Sequence, residues 1–179
     1  MKLTFVPQTL QFKRLFSIAH GARSSTPVVF TRIESDGVFG YGEASMPPYL
    51  GEDHRSVLQF LEKATTVLRG FSDAGDIGSI LEAVDSIAPG NTAAKAAIDI
   101  ALHDLWGKNM KEPCHALFGV DKAKPLFTAY TIPIDDAPGI KNRMEEARDY
   151  KIVKVKLGST DDKQLIEEIR KNTDKPFFV

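Results

Sequence analysis

The chain has 179 residues, enough for one ordinary domain or for a small domain plus part of a second. Its 23 basic and 24 acidic residues leave a formal net charge of −1, so neither nucleic acid nor an anionic membrane is an expected partner. The single cysteine, Cys114, excludes an internal disulfide and a thiolate metal cluster and suits a reducing compartment. No run approaches the roughly 20 apolar residues of a membrane span, and Pro7 and Gln8 interrupt the N-terminus before a signal-peptide core can form. The expectation is a cytoplasmic protein with a small-molecule partner.

Residues 2 to 44 read as strands. Leu3, Phe5, Leu10 and Phe12 alternate with polar neighbours, and Val28-Val29-Phe30-Thr31-Arg32-Ile33 is rich in β-branched and aromatic side chains. Asp36-Gly37 favours the positive φ angles of a tight hairpin, which predicts an antiparallel meander. Between Ser17 and Thr26 no apolar period is visible, and a flexible loop is expected there. From Glu52 onward the period becomes helical: Val57, Leu58, Leu61, Ala64, Val67 and Leu68 form one stripe, and Ile77, Ile80, Leu81 and Val84 another. After Pro89-Gly90, Asn91 is a candidate N-cap for a third helix that is apolar around most of its circumference and therefore expected to be buried.

Beyond Pro125 the pattern changes to strand Leu126 to Pro133, helix Asp136 to Tyr150, strand Ile152 to Leu157, helix Asp161 to Lys171 and strand Phe177 to Val179. Pro138 suits a first helical turn, and Ser159 with Asp162 resembles a capping box. This βαβαβ order implies parallel strands in a doubly wound sheet or an α/β barrel. A parallel sheet ending at Val179 would leave an edge and half its core open, so the natural polypeptide is expected to continue.

Alternation along Lys151 to Gly158 puts Lys154 and Lys156 on one face and Val153, Val155 and Leu157 on the other. Solvated lysines on an edge strand would give the same pattern. Inside a parallel βαβ unit, however, both faces are normally covered, and an inward polar residue at the carboxyl end of a barrel strand reads as catalytic. Two ammonium groups about 7 Å apart repel by about 2.4 kcal/mol at an effective dielectric of 20, which favours the neutral, basic form of one of them. Such an amine could act as a general base.

Other candidates carry less. Gly37, Gly40 and Gly42 lack phosphate-loop spacing and read as turn or backbone-packing positions. Asp99 and His103 stand i,i+4 on a helix, where an ion pair is a simpler reading than a metal site without a third ligand. His20, His54 and His115 show no ligand spacing, and Ser24 and Ser25 lack a nucleophile-elbow context.

Four segments in order resemble the enolase superfamily. Gly40-Tyr41-Gly42-Glu43-Ala44 is similar to a strand ending of its capping domain, and Ala94 to Lys108 is similar to that domain's alanine-rich helix. Thr128-Ala129-Tyr130-Thr131-Ile132 resembles the first barrel strand, and Lys154-Val155-Lys156 the KxK signature on the second. The resemblance is strongest to the muconate-lactonizing subgroup and, within it, to dipeptide epimerases, including those acting on Ala-Glu dipeptides.

It implies an α+β capping domain over residues 1–123 and the first βαβαβ part of a TIM-type α/β barrel over 124–179, incomplete in this chain. It further implies Lys156 as the base on one face of a substrate α-carbon, Lys154 beside the substrate carboxylate, and Thr131 holding the dipeptide. Arg23 and the loop from Met46 to Glu52 would belong to segments that close over the site, with Arg23 either meeting an acidic substrate group or standing as a solvated loop arginine. The cofactor implied is Mg²⁺, whose three carboxylate ligands and whose opposing lysine would lie beyond Val179. On this reading the chain alone is inactive, and its partners are a dipeptide, the missing C-terminal barrel half and a second copy in a homo-oligomer. The competing readings are an o-succinylbenzoate synthase or muconate cycloisomerase with the same lysine pair, a Schiff-base aldolase, and a noncatalytic interaction module.

Overall fold

In the computed structural model, residues 1–19, 21–120 and 126–179 are described. His20 and the expected domain boundary at 123/124 lie outside them. Two units form. The first comprises Met1–Gln11 and Ser25–Asp121, and the second Phe12–Ser24 and Lys122–Val179.

Strands β1 (Lys2–Ile18), β2 (Gly21–Ser35) and β3 (Val38–Ser45) form a sheet of order β1-β2-β3. Asp36 and Gly37 both take positive φ, 49° and 78°, as the expected tight turn between β2 and β3 requires. The expectation of a loop from Ser17 to Thr26 is corrected: β1 runs to Ile18 and β2 starts at Gly21. Backbone ladders need no apolar side chains, so a polar stretch can be strand without showing a hydrophobic period.

In the first unit, a short turn at Pro48–Leu50 leads to α1 (His54–Arg69), α2 (Ile77–Asp85), α3 (Thr92–Met110) and α4 (Cys114–Leu117). A capping box opens α1: Asp53 accepts from the Ser56 N–H while Ser56 Oγ takes the Asp53 N–H. Val57, Leu61, Ala64 and Leu68 face the core from α1, and Ile80 and Val84 from α2, as their spacing predicts.

Helix α3 lies against β3, and glycine makes that approach feasible. A Cβ on Gly40 would collide with the Ala101 carbonyl and Leu105, and one on Gly42 with the Ala97 carbonyl. Thr31, the register partner of Gly42, donates its hydroxyl to that same carbonyl at 3.0 Å. The expected burial of α3 holds on the side that faces the sheet and the other helices, and not on the opposite side. Ala94, Ala97, Ile98, Ala101, Leu102 and Leu105 are buried, whereas Ala96, Ile100 and Met110 face outward.

The N-terminus of α3 also departs from expectation. Asn91 occupies the N-cap in a left-handed conformation and makes no side-chain cap bond. Glu52 replaces it from 40 residues away: its carboxylate accepts from Thr92 N at 2.7 Å, Thr92 Oγ1 at 2.8 Å and Ala93 N at 3.1 Å. A carboxylate at a helix N-terminus satisfies orphan donors and opposes the helix dipole.

In the second unit, β4 (Ala129–Ile132), α5 (Ala137–Glu146), β5 (Ile152–Val155), α6 (Asp162–Asn172) and β6 (Phe177–Phe178) follow in the expected βαβαβ order. The sheet is parallel, with order β4-β5-β6. Each strand is shorter than its sequence pattern suggests, and Leu126 and Phe127 precede β4 as exposed residues. Ile132, Val153 and Val155 share a core with Ile140, Met144, Leu165 and Ile169 of α5 and α6.

Candidate active site

The parallel register sets Thr131 of β4 beside Lys154 of β5, and Lys154 beside Phe178 of β6. These residues alternate with the buried Ile132, Val153 and Val155, so they lie on the face opposite the helix-packed core. Lys154 is exposed on that face, while Thr131 and Lys156 are half-buried. Lys156 lies just past β5, where its N–H donates to the Ile132 carbonyl at 2.9 Å and extends the ladder toward the strand's carboxyl end. Three of the sequence candidates, Thr131, Lys154 and Lys156, are thus brought together on neighbouring parallel strands.

After Lys156 the chain turns at Gly158, whose φ is +116°. Asp162 holds this turn. Its carboxylate accepts from the Gly158 and Ser159 N–H groups at 2.9 Å each and from the Ser159 hydroxyl at 2.9 Å. Those backbone donors keep the Asp162 carboxyl below its ordinary value. The expected capping box is therefore corrected: the N-cap of α6 is Asp161, which makes no side-chain cap bond, and Ser159 and Asp162 build the preceding turn.

The outer end of β1 crosses the carboxyl ends of these strands. Ser17 O accepts the Ile134 N–H at 3.1 Å just past β4, and Ala19 packs on Gly158 just past β5. In barrel folds, this end of the strands is where chemistry is sited.

Arg23, on β2, lines a cavity of about 410 Å³ with Phe12, Arg14, Tyr130, Arg143 and Glu146, a lining that includes neither Lys154 nor Lys156. Tyr130 precedes Thr131 and by strand alternation points to the opposite face. Glu146 accepts from Lys13 at 2.8 Å and from the Tyr130 hydroxyl at 2.6 Å, and Arg14 stands 3.0 Å away. The Lys13 ammonium first, then the Tyr130 hydroxyl, draws the Glu146 carboxyl down to about 2. Burial, and then this carboxylate, raises the Tyr130 hydroxyl above its ordinary value. This cluster escaped sequence reading because its members, from Lys13 to Glu146, share no local spacing.

In the first unit, the segment from Met46 to Glu52 is anchored at both ends, by buried Met46 and by Glu52 on α3. Between them Tyr49 is 86% exposed, a protruding aromatic at the tip of the segment. His103 Nδ1 lies 3.0 Å from the Asp99 carbonyl and 2.7 Å from Asp99 Oδ1, a local side-chain contact on one helix face. His54 Nε2 bridges the carbonyls of Gln8 and Val28 at 3.1 and 3.0 Å. Two conspicuous polar residues of the alanine-rich segment fasten α3 to β3: Asp104 accepts the Tyr41 N–H at 2.8 Å, and Lys108 donates to the Phe39 carbonyl at 2.9 Å. Among the described residues, no group of three or more His, Cys, Asp or Glu side chains could hold a metal ion. The described residues therefore do not by themselves fit Mg²⁺. No described helix is long and apolar enough to cross a membrane.

The chain is similar to known enzymes along its whole length. It is 47% identical to an L-Ala-D/L-Glu epimerase of Bacteroides thetaiotaomicron, over 100% of this chain and 46% of that protein. A dipeptide epimerase from Enterococcus faecalis, crystallised with Mg and L-Leu-L-Tyr, superposes with a TM-score of 0.85 at 26% identity. That match covers 98% of this chain and 51% of the other. The L-Ala-D/L-Glu epimerase from Bacillus subtilis, in a substrate-liganded complex, superposes with a TM-score of 0.82 at 26% identity, covering 96% of this chain and 50% of that one. The chain thus spans about half the length of the relatives it matches. The N-terminal domain model of the mandelate racemase / muconate lactonizing enzyme family matches residues 1–119, and the chain belongs to that family, within the enolase superfamily.

Proposed function

We propose that this chain supplies the capping domain and the lysine-bearing first strands of a dipeptide epimerase, an isomerase acting in the cytoplasm on L-Ala-Glu or a similar dipeptide. The observation that carries the reading is the β4–β5 face bearing Thr131 and Lys154 in register, with Lys156 one step beyond on the same face. The name of the 47% identical relative supports the substrate class.

In this reading the Lys156 amine removes the α-proton, becoming an ammonium as the electron pair moves into the adjacent carboxylate to give an enediolate. The Lys154 ammonium stands beside that carboxylate and offsets the growing charge, a stabilisation that strengthens as the proton leaves. Thr131 is the hydrogen-bonding group that orients the dipeptide. Return of a proton to the opposite face inverts the carbon and needs a second acid, which the family resemblance assigns beyond Val179. Mg²⁺, seen with the related enzymes, would add charge stabilisation when bound. The acidic group of the substrate is assigned to Arg23, which would have to turn from its cavity to reach it.

Incubation of the full-length protein with L-Ala-L-Glu in D₂O tests the assignment. Exchange of the α-hydrogen is expected, falling at least about 10³-fold on Lys156→Ala. Undiminished exchange in that variant would falsify the role of Lys156, and capture of a carbonyl substrate by borohydride on either lysine would favour aldolase chemistry.

A further inference from the structure

Arg143 is a charged side chain that the lysine chemistry does not use, yet the residue is only 8% exposed. Its Nε donates to Asp135 Oδ2 at 2.7 Å and its Nη2 to the Leu15 carbonyl at 2.9 Å, joining positions 128 apart in the chain. A buried guanidinium is tolerated where hydrogen bonds replace its hydration. Here one arm is committed to the backbone of β1.

The end of that strand and the turn after it make two further contacts at alternate residues. Ser17 O takes the Ile134 N–H, and Ala19 packs so closely on Gly158 that a Cβ there would collide with it. Leu15, Ser17 and Ala19 therefore step across α5 and the carboxyl ends of β4 and β5. Of the three contacts, only the one at the Leu15 carbonyl comes from a side chain, that of Arg143, which holds a second partner, Asp135, at the same time.

We propose that Arg143 is a positioning residue, which holds the outer end of β1 over the carboxyl end of the lysine strand. It governs how firmly a dipeptide is held there and leaves proton transfer at Lys156 unchanged. The role rests on the dipeptide-epimerase reading. Lysine is a poorer substitute, because its donors share one nitrogen, whereas Arg143 meets Asp135 and the Leu15 carbonyl from two separate nitrogens, Nε and Nη2.

The test uses the full-length protein with Arg143→Lys, which keeps a cation for Asp135 and so protects folding, and Arg143→Met beside it. The KM for L-Ala-L-Glu is expected to rise roughly tenfold in Arg143→Lys, with kcat for α-hydrogen exchange within about twofold of the unaltered enzyme. Amide hydrogen exchange is expected to quicken at Ser17, Ile18 and Ala19 and to stay unchanged along α3. An unchanged KM, a fall in kcat without a change in KM, or unaltered amide exchange in Arg143→Lys would each overturn the role. An unaltered full-length protein that exchanges no α-hydrogen overturns the epimerase reading and this role with it, whereas a normal unaltered enzyme with an unshifted variant overturns the role alone.

Discussion

Glu146 gathers Lys13, Arg14 and Tyr130 around one carboxylate, and the consequence is a defined response to acid. Folding lowers this carboxyl from its ordinary 4.5 to about 2. Its contribution to stability is therefore complete above pH 4.5 and is lost as the pH falls toward about 2. In Glu146→Gln the urea midpoint should fall less steeply between those values than in the unaltered protein. Parallel acid profiles for the two proteins would show that the cluster adds nothing to stability. At this scale the sequence was partly legible. The alternation of Lys154 and Lys156 against Val153 and Val155 is a local property and could be read directly. The β1 partners of Glu146 and Arg143 lie more than a hundred positions away, as with Lys13 to Glu146 and Leu15 to Arg143, and no local pattern encodes them.

Among the elements, the docking of α3 on β3 is the most sensitive to a single atom. Gly42→Ala forces a methyl group toward the Ala97 carbonyl, where Thr31 already donates its hydroxyl. A loss of roughly 1–3 kcal/mol is expected on denaturant unfolding, the usual cost of overpacking a close contact. A change within about 0.5 kcal/mol would mean that α3 can shift without penalty, against the close approach described here. Helix periods and the Asp36-Gly37 turn were legible because they depend on neighbours within a few residues. The strand character of residues 17–18 and 21–26 was not, since backbone pairing leaves no hydrophobic signature when the side chains are polar. The N-terminus of α3 was misassigned for a related reason: Asn91 has the right chemistry for a cap, but the donors are met by Glu52 from a distant segment.

At the scale of the whole molecule, the described chain holds two separate apolar cores, one in the helical and antiparallel unit and one between α5, α6 and the parallel sheet. It corresponds to 46% of the length of the Bacteroides relative. On the proposed mechanism a base and a carboxylate partner are present, while the second acid and the metal ligands are assigned elsewhere. The 179-residue chain supplied with Mg²⁺ is therefore expected to leave the α-hydrogen of L-Ala-L-Glu unexchanged in D₂O. Chelator-sensitive exchange by this chain alone would contradict that division of labour.

The two-faced strand β5 has a further consequence, for folding fidelity. If β5 entered the sheet shifted by one residue, Lys154 and Lys156 would turn into the cluster of Ile132, Ile140, Leu165 and Ile169, and Val153 and Val155 would turn out of it. Each ammonium forced into that cluster without a partner costs several kcal/mol. The same two charges proposed for catalysis thus proofread strand pairing, penalising misthreaded sheets before any substrate is met.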